Sequence, residues 1–267
     1  MTALDDGGLA RIRQHLTRLD AAALALYKPT CFERRLAARL RARSVATVAE
    51  YVGLLDREPE EIERLVSALA IGVTGFFRNP PAWRRLAALL ETRDFSAVPF
   101  RAWSAGCATG EEAFSIALLL DRLERAGVGA VAGWEVHATD LDERSLAVAR
   151  EGVYPARAAA EIREAVDLPL DVAGGQYLVD GAIRRRVRFR REDLLSGFGP
   201  DRYDLVVCRN VLISFGDEGQ ARIARALARA LRPGGLLMLG KAEFAARDPV
   251  SELELLDGRE RIYRRAS

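Results

Sequence analysis

The first 92 residues show the hydrophobic spacing of α-helices. Apolar residues recur three or four positions apart in four successive stretches, which brings them to one face of a helix. These stretches begin at Leu9, Phe32, Val48 and Ile62. Asn79 and Pro80 then mark another helix start, because Asn is a favoured N-cap and Pro fits the first helical position. The pattern predicts an N-terminal helical domain with its linker over residues 1–92.

After residue 92 the pattern changes to short apolar runs that alternate with helical stretches. Such alternation is typical of α/β proteins with a parallel sheet. Strands are predicted at 134–140, 203–210 and 236–239. Asp217 with Gln220 fits a capping box at the start of the helix that precedes the last of them. Asp257 and Gly258 predict a hairpin near the end of the chain.

Residues 155–192 interrupt this alternation. A helical stretch over 158–166 leads into an arginine-rich segment with Asp180 and Gly181 in it, a pair favoured in tight hairpin turns. We therefore predict a helix followed by a short β-hairpin. The arginines fit either a binding edge or an edge strand that charge protects from pairing with other chains.

The stretch from Arg101 to Glu112 is the candidate ligand loop. It reads as a buried strand, a turn with Gly106 and Gly110, and the start of a helix, which is how doubly wound α/β proteins hold nucleotide-like cofactors. A polyphosphate is excluded because Glu111 and Glu112 follow the second glycine where a P-loop has Lys and Ser or Thr. The glycine spacing also differs from the dinucleotide motif. Two acids suit S-adenosylmethionine (SAM), which carries an ammonium and a sulfonium.

The overall charge and the cysteines place few limits on function. The formal net charge of +2 predicts neither a nucleic-acid nor a membrane partner by itself. Three cysteines lie far apart, which fits the reduced cytosol. We expect a cytoplasmic monomer without membrane insertion, and we predict no metal site.

Positive charge concentrates on the second predicted helix. Arg34, Arg35 and Arg39 lie opposite its apolar stripe. They fit a solvated face, or a docking site for an acidic partner helix or for nucleic acid, although no interleaved aromatic residues favour nucleic acid.

A second unusual segment runs from Thr74 to Arg78, where two phenylalanines precede the arginine. A guanidinium beside aromatic surface needs a carboxylate partner, and that carboxylate could belong to a ligand.

Four segments in this order resemble the CheR family of bacterial chemotaxis receptor methyltransferases, which use SAM to esterify glutamate side chains of chemoreceptors. The segments are 74–78, 103–112, 138–142 and 208–213. The resemblance implies a class I methyltransferase fold, a Rossmann-like doubly wound sheet with an antiparallel last strand, over residues 93–267. It also implies an N-terminal helical domain and a small inserted β-subdomain within 155–192, which in some members binds a peptide of the receptor.

The resemblance also implies roles for individual residues. Asp140 is expected to bind the ribose hydroxyls, and Glu111 to hold the ammonium of the cofactor. Arg78 is the expected catalytic residue, which orients the substrate carboxylate or closes the cofactor end of the cleft. A glutamate carboxylate is already ionised near neutral pH, so no general base is required. The other expected cofactor-binding residues are Thr74, Gly106, Asp193, Leu194, Arg209 and Asn210.

Two positions depart from the family pattern. Gly72 stands where relatives often have asparagine, and Ser214 stands where they commonly have tyrosine. The smaller serine leaves room for another substrate or a water.

The expected partners are the cytoplasmic helices of chemoreceptors, docked on Arg34, Arg35 and Arg39, and no nucleic acid is expected. Two alternatives remain open: an adaptor that binds the cofactor or its product without catalysis, and an enzyme that methylates a small molecule or RNA.

Overall fold

The computed structural model describes residues 6–18, 22–70, 74–92, 99–128, 133–166, 170–196, 199–241, 243 and 252–266. Gly72 lies outside these residues. The helices are α1 (Asp6–Arg18), α2 (Pro29–Ala42), α3 (Val48–Arg57), α4 (Pro59–Leu69), α5 (Pro80–Glu91), α6 (Glu111–Ala126), α7 (Glu143–Glu151), α8 (Arg157–Ala165), α9 (Gly181–Arg185) and α10 (Asp217–Ala230). The strands are β1 (Phe100–Ala105), β2 (Trp134–Asp140), β3 (Val153–Pro155), β4 (Val172–Ala173), β5 (Gln176–Leu178), β6 (Val187–Arg191), β7 (Tyr203–Cys208), β8 (Leu231–Leu239), β9 (Leu253–Asp257) and β10 (Ile262–Arg265).

Seven of the described strands form one sheet in the order β6-β2-β1-β7-β8-β10-β9. The five strands from β6 to β8 are parallel, whereas β10 pairs antiparallel with both β8 and β9. This arrangement confirms the predicted α/β class and its antiparallel last strand. The carboxyl ends of β1, β2 and β7 meet at one edge of the sheet, which is where ligands bind in open α/β sheets.

The two faces of the sheet contribute to two hydrophobic cores. Alternate residues of a strand point to opposite faces, so Ala102 joins the core under α5 and α6 while Trp103 joins the core shared with the N-terminal helices and α10. Because α1 to α4 share a core with the sheet, the N-terminal helices can bring residues to its edge. The predicted division of the chain after residue 92 stays a prediction.

The inserted segment differs from the prediction. Asp180 and Gly181 do not form a hairpin turn: the Asp180 carboxylate accepts a hydrogen bond from the Ala182 amide at 2.7 Å and caps the short helix α9. The small sheet instead has the order β3-β5-β4. Its tight turn is at residues 174–175, where two glycines have positive φ. The small sheet begins at Val153 and β6 belongs to the large sheet, while the range of 155–192 for the inserted segment stays a prediction.

Three helices differ in how their first turns are capped. Asp142 caps α7, because its carboxylate accepts a hydrogen bond from the Arg144 amide at 3.2 Å. Asn79 is the N-cap of α5 but adopts a left-handed conformation without a side-chain capping bond. The capping box of Asp217 and Gln220 is wrong: the N-cap of α10 is Gly216, and Nε2 of the Gln220 side chain donates to the Phe215 carbonyl oxygen. Within the described residues no helix is long and apolar enough to cross a membrane.

Candidate active site

Two adjoining cavities lie at the carboxyl ends of β1, β2 and β7, and both are lined by Gly106, Asn210 and Val211. The first cavity is largely apolar and ends at Asp140. The other residues that line it are Ala23, Leu24, Tyr27, Ala70, Leu141, Glu192, Leu194 and Phe215. The second cavity is charged, and the other residues that line it are Thr74, Gly75, Arg78, Ala108, Glu112 and Arg209. An apolar and a charged cavity side by side suit a ligand with an aromatic base at one end and charged groups at the other.

The turn after β1 separates the two cavities and needs glycine at position 106. Gly106 has a φ of 82°, and a Cβ there would lie 2.5 Å from Cγ2 of Val211. The Gly106 and Cys107 amides donate to the Thr139 carbonyl oxygen at 2.8 and 2.9 Å, which fixes the turn against β2. The backbone can therefore approach a ligand closely at this point.

Asp140 ends β2 at the rim of the apolar cavity. One carboxylate oxygen accepts a hydrogen bond from the Ala108 amide at 2.8 Å, and the other accepts one from the Asp142 amide at 2.9 Å. Burial raises the pKa of this carboxyl group, while the backbone hydrogen bonds act in the opposite direction. The two amide bonds orient the carboxylate and leave it acceptor capacity for a diol.

The acidic pair at the start of α6 divides between two environments. Glu111 accepts a hydrogen bond from the Thr109 hydroxyl at 2.7 Å and does not line either cavity. Glu112 is buried and lines the charged cavity, where it accepts a hydrogen bond from Ser104 Oγ at 2.8 Å. Burial raises the pKa of Glu112 to about 7. Of the two acids, Glu112 lines the charged cavity, whereas the role predicted for Glu111 stays a prediction.

Two arginines share the charged cavity with Glu112. Arg209 is buried and its guanidinium carbon lies 5.9 Å from the centre of the Trp83 ring. Burial lowers the pKa of Arg209, while the charge of Glu112 raises it. Arg78 is half-buried and reaches the same cavity from the segment before α5. Arg78 therefore reaches a charged cavity, as predicted, while the two phenylalanines before it are buried and line neither cavity.

The N-terminal helical region closes the apolar cavity. The Lys28 amide donates to the Ser214 carbonyl oxygen at 2.9 Å, and the Gly216 amide donates to the Leu26 carbonyl oxygen at 3.0 Å. The ring of Tyr27 packs edge-on against that of Phe215 at 4.6 Å between ring centres. Residues before α2 therefore hold the connection between β7 and α10 in place.

Two family models match the chain. The model described as the SAM binding domain of CheR methyltransferases matches residues 72–258, and the model of their all-alpha domain matches residues 8–70. The chain belongs to the CheR methyltransferase family. The match to the SAM binding domain confirms the predicted cofactor, for which Glu112 and Asp140 offer the anionic groups that an ammonium and a ribose need.

Proteins with similar sequences include chemotaxis methyltransferases. A chemotaxis protein methyltransferase of Listeria monocytogenes is 34% identical over 82% of this chain and 83% of its own length. Chemotaxis protein methyltransferase 2 of Pseudomonas aeruginosa is 33% identical over 87% of this chain and 85% of its own length. An uncharacterised 104.1 kDa protein of Rhodobacter capsulatus is 35% identical over 89% of this chain, which spans only 25% of that protein.

In this CheR-family chain most predicted cofactor residues come together. Thr74, Arg78, Gly106, Asp140, Leu194, Arg209 and Asn210 line one or both cavities. Asp193 is buried behind them, where its carboxylate accepts hydrogen bonds from the amides of Ala23 at 2.7 Å and Leu195 at 2.8 Å. Sequence reasoning missed Tyr27, which is far from the motifs. It also left Glu112 open, although that residue shares its helical face with the apolar Ile116 and Leu123.

Two of the three arginines of the predicted docking face contact α4, and their role in docking stays a prediction. Arg35 donates to the carbonyl oxygens of residues 68–70 at 2.7 to 3.1 Å, at the end of α4. Arg39 forms a bidentate pair with the buried carboxylate of Glu61 at 2.6 and 2.7 Å. Spaced four residues apart, both side chains face α4 and join it to α2. Arg34 is exposed, so it alone of the three keeps the surface position that docking requires.

Proposed function

We propose that this CheR-family chain transfers the methyl group of SAM to glutamate carboxylates of chemoreceptors. The observation that supports this most is the pairing of Arg78 and Arg209 in a cavity that continues the cofactor cleft. Arginine presents a planar fork of donors that matches a carboxylate. A carboxylate acceptor is already ionised near neutral pH, so the proposed reaction needs no general base.

The residues that line the two cavities have different proposed roles. Glu112 holds the ammonium of the cofactor, Asp140 its ribose, and Leu194 with Tyr27 packs against its base. Arg78 orients the acceptor carboxylate, because it is the less buried of the two arginines and lies nearer to solvent. Arg209 balances the charge of Glu112 behind it.

The reaction needs alignment and exclusion of water more than proton transfer. A carboxylate oxygen of the acceptor forms a bond to the methyl carbon as the bond from that carbon to sulfur breaks. The products are a glutamyl methyl ester and S-adenosylhomocysteine, and no proton moves. Excluding water raises the reactivity of the carboxylate, and the arginine fork holds it in line with the methyl group.

The proposal is tested with labelled SAM and cytoplasmic fragments of chemoreceptors. We expect a label that mild alkali releases as methanol, and its loss in Arg78→Ala. Arg84→Ala is the matched control, since Arg84 is exposed on α5 outside both cavities. Equal activity in the two variants would show that Arg78 has no role in methyl transfer. A label that is stable in alkali would show that the product is not a methyl ester.

The adaptor alternative has no support from the structure. Ser214 is 2% exposed, and it does not line either described cavity. Its carbonyl oxygen accepts the hydrogen bond from Lys28 instead. The change from tyrosine to serine therefore does not open the described cleft to another ligand. A monomeric state and a cytoplasmic location stay predictions.

A further inference from the structure

We propose that Glu243 is a positioning residue of the active site, which acts by holding the backbone at Asn210–Leu212. Glu243 is fully buried. One carboxylate oxygen accepts hydrogen bonds from the Val211 amide at 2.6 Å and the Leu212 amide at 2.8 Å. The other accepts one from the Gly240 amide at 2.5 Å. The proposal rests on the function proposed above, because it assigns a role in the same cleft.

The backbone at this point requires a carboxylate partner. Asn210 has a φ of 62°, a left-handed conformation that few residues adopt, and it turns successive amides toward one point. Converging backbone amides form an anion-binding concavity, and hydrogen bonds to an ionised acceptor are the stronger kind. A glutamine in place of Glu243 would keep one acceptor oxygen and would direct an NH2 group at a backbone amide.

The same contact connects Glu243 to both cavities. Asn210 and Val211 line each of them, and Val211 is the residue that a Cβ on Gly106 would strike at 2.5 Å. A Cβ on Gly240 would lie 2.6 Å from Glu243 Oε2 and 3.0 Å from the Asn210 amide nitrogen. The carboxylate, the connection after β7 and the cofactor turn after β1 are therefore packed together without space to shift. Glu243 does not line either cavity, so it acts through these neighbours.

The charge of Glu243 also reaches the cofactor site. It raises the pKa of Glu112, in addition to the larger effect of burial, and it raises the pKa of Arg209. We call the pH at which cofactor affinity is half of its highest value the pH midpoint. Removing the charge of Glu243 should lower this pH midpoint, whereas a loss of packing alone would leave it unchanged.

The test measures the affinity of S-adenosylhomocysteine by calorimetry from pH 6 to 8 on the whole chain, without any receptor. We expect Glu243→Gln to weaken binding at least about tenfold, because it leaves a buried backbone donor without an acceptor. We also expect its pH midpoint to fall. Asp204→Asn is the matched control: Asp204 is also buried and accepts a backbone amide hydrogen bond, from Arg101 at 2.8 Å, but it lines neither cavity, and affinity should stay within about twofold of that of the unaltered protein.

A second variant separates geometry from charge. Gly240→Ala keeps the carboxylate, but its Cβ would lie 2.6 Å from Glu243 Oε2 and displace that oxygen, so affinity should fall while the pH midpoint stays unchanged. It also decides the outcome if Glu243→Gln does not fold. If a folded Glu243→Gln variant, or the Gly240→Ala variant, bound S-adenosylhomocysteine as tightly as the unaltered protein does, the proposal would be overturned. Because no methyl acceptor is present, a wrong substrate assignment cannot produce either result.

Discussion

Glu112 should make cofactor binding depend on pH in the neutral range. Its pKa is raised to about 7, by burial first and by the charge of Glu243 in part. A cofactor ammonium binds the ionised form, so a proton must leave Glu112 below neutral pH. A glutamate with its ordinary pKa would show no such effect between pH 6 and 8.

The size of the effect follows from the pKa. With a pKa of about 7, roughly nine-tenths of the protein carries a protonated Glu112 at pH 6 and about one-tenth at pH 8. The apparent affinity should therefore fall about tenfold from pH 8 to pH 6, with release of close to one proton at pH 6. Calorimetry with S-adenosylhomocysteine in buffers of different ionisation enthalpy measures both quantities.

The Glu112→Gln variant is the control, and it should show weaker ligand binding together with higher stability of the ligand-free protein. It should bind S-adenosylhomocysteine weakly at every pH, with no proton release. Because the pKa of the buried carboxyl group is raised in the folded protein, its ionisation lowers the free energy of unfolding. This loss is complete above about pH 7 and absent below 4.5, the pKa of the group in the unfolded chain. Removing the charge should thus stabilise the ligand-free protein at pH 8 by up to about 3 kcal/mol. A pH-independent affinity in the original protein, or a destabilised Glu112→Gln at pH 8, would refute the assignment.

Two further predictions concern the cofactor turn and the N-terminal helices. Gly106→Ala should abolish measurable binding of S-adenosylhomocysteine, since its Cβ would clash with Val211 at 2.5 Å in a left-handed conformation; calorimetry that shows normal affinity would contradict this. Arg39→Glu should destabilise the protein by about 3–5 kcal/mol in denaturant unfolding, because the buried Glu61 would lose its bidentate partner and face a second carboxylate instead. Arg34→Glu, at an exposed position, should change stability by less than about 0.5 kcal/mol, and equal losses in the two variants would contradict the described pairing.

The parts of the fold that depend on local pattern could be predicted from the sequence. Alternating apolar runs and helical stretches indicated the α/β class, a glycine and an acid at strand ends pointed to Gly106 and Asp140, and the resemblance to the family pointed to Asn210. The prediction of the fold class is confirmed. The three residues line the described cavities because the carboxyl ends of parallel strands meet at one edge, and their roles stay predictions.

The errors came from contacts between distant parts of the chain. Arg35 and Arg39 were expected at the surface, but their partners are on α4, which the pattern of α2 alone does not reveal. Tyr27 reaches the cofactor cavity only because the N-terminal helices share a core with the sheet. Asp180 and Gly181 fit a hairpin and a helix start equally well by residue type, and the neighbouring strand β6 decides between them.

The identity of the methyl acceptor is the central claim, and mapping the methylated residue tests it most directly. A receptor fragment incubated with the enzyme and labelled SAM is digested and sequenced by mass spectrometry, beside a fragment in which the labelled residues are changed to glutamine or alanine. The account predicts methyl esters on glutamate side chains, lost in mild alkali and absent from the altered fragment. A methyl group on nitrogen or sulfur, or no methylation of any receptor fragment by a protein that binds the cofactor, would contradict it.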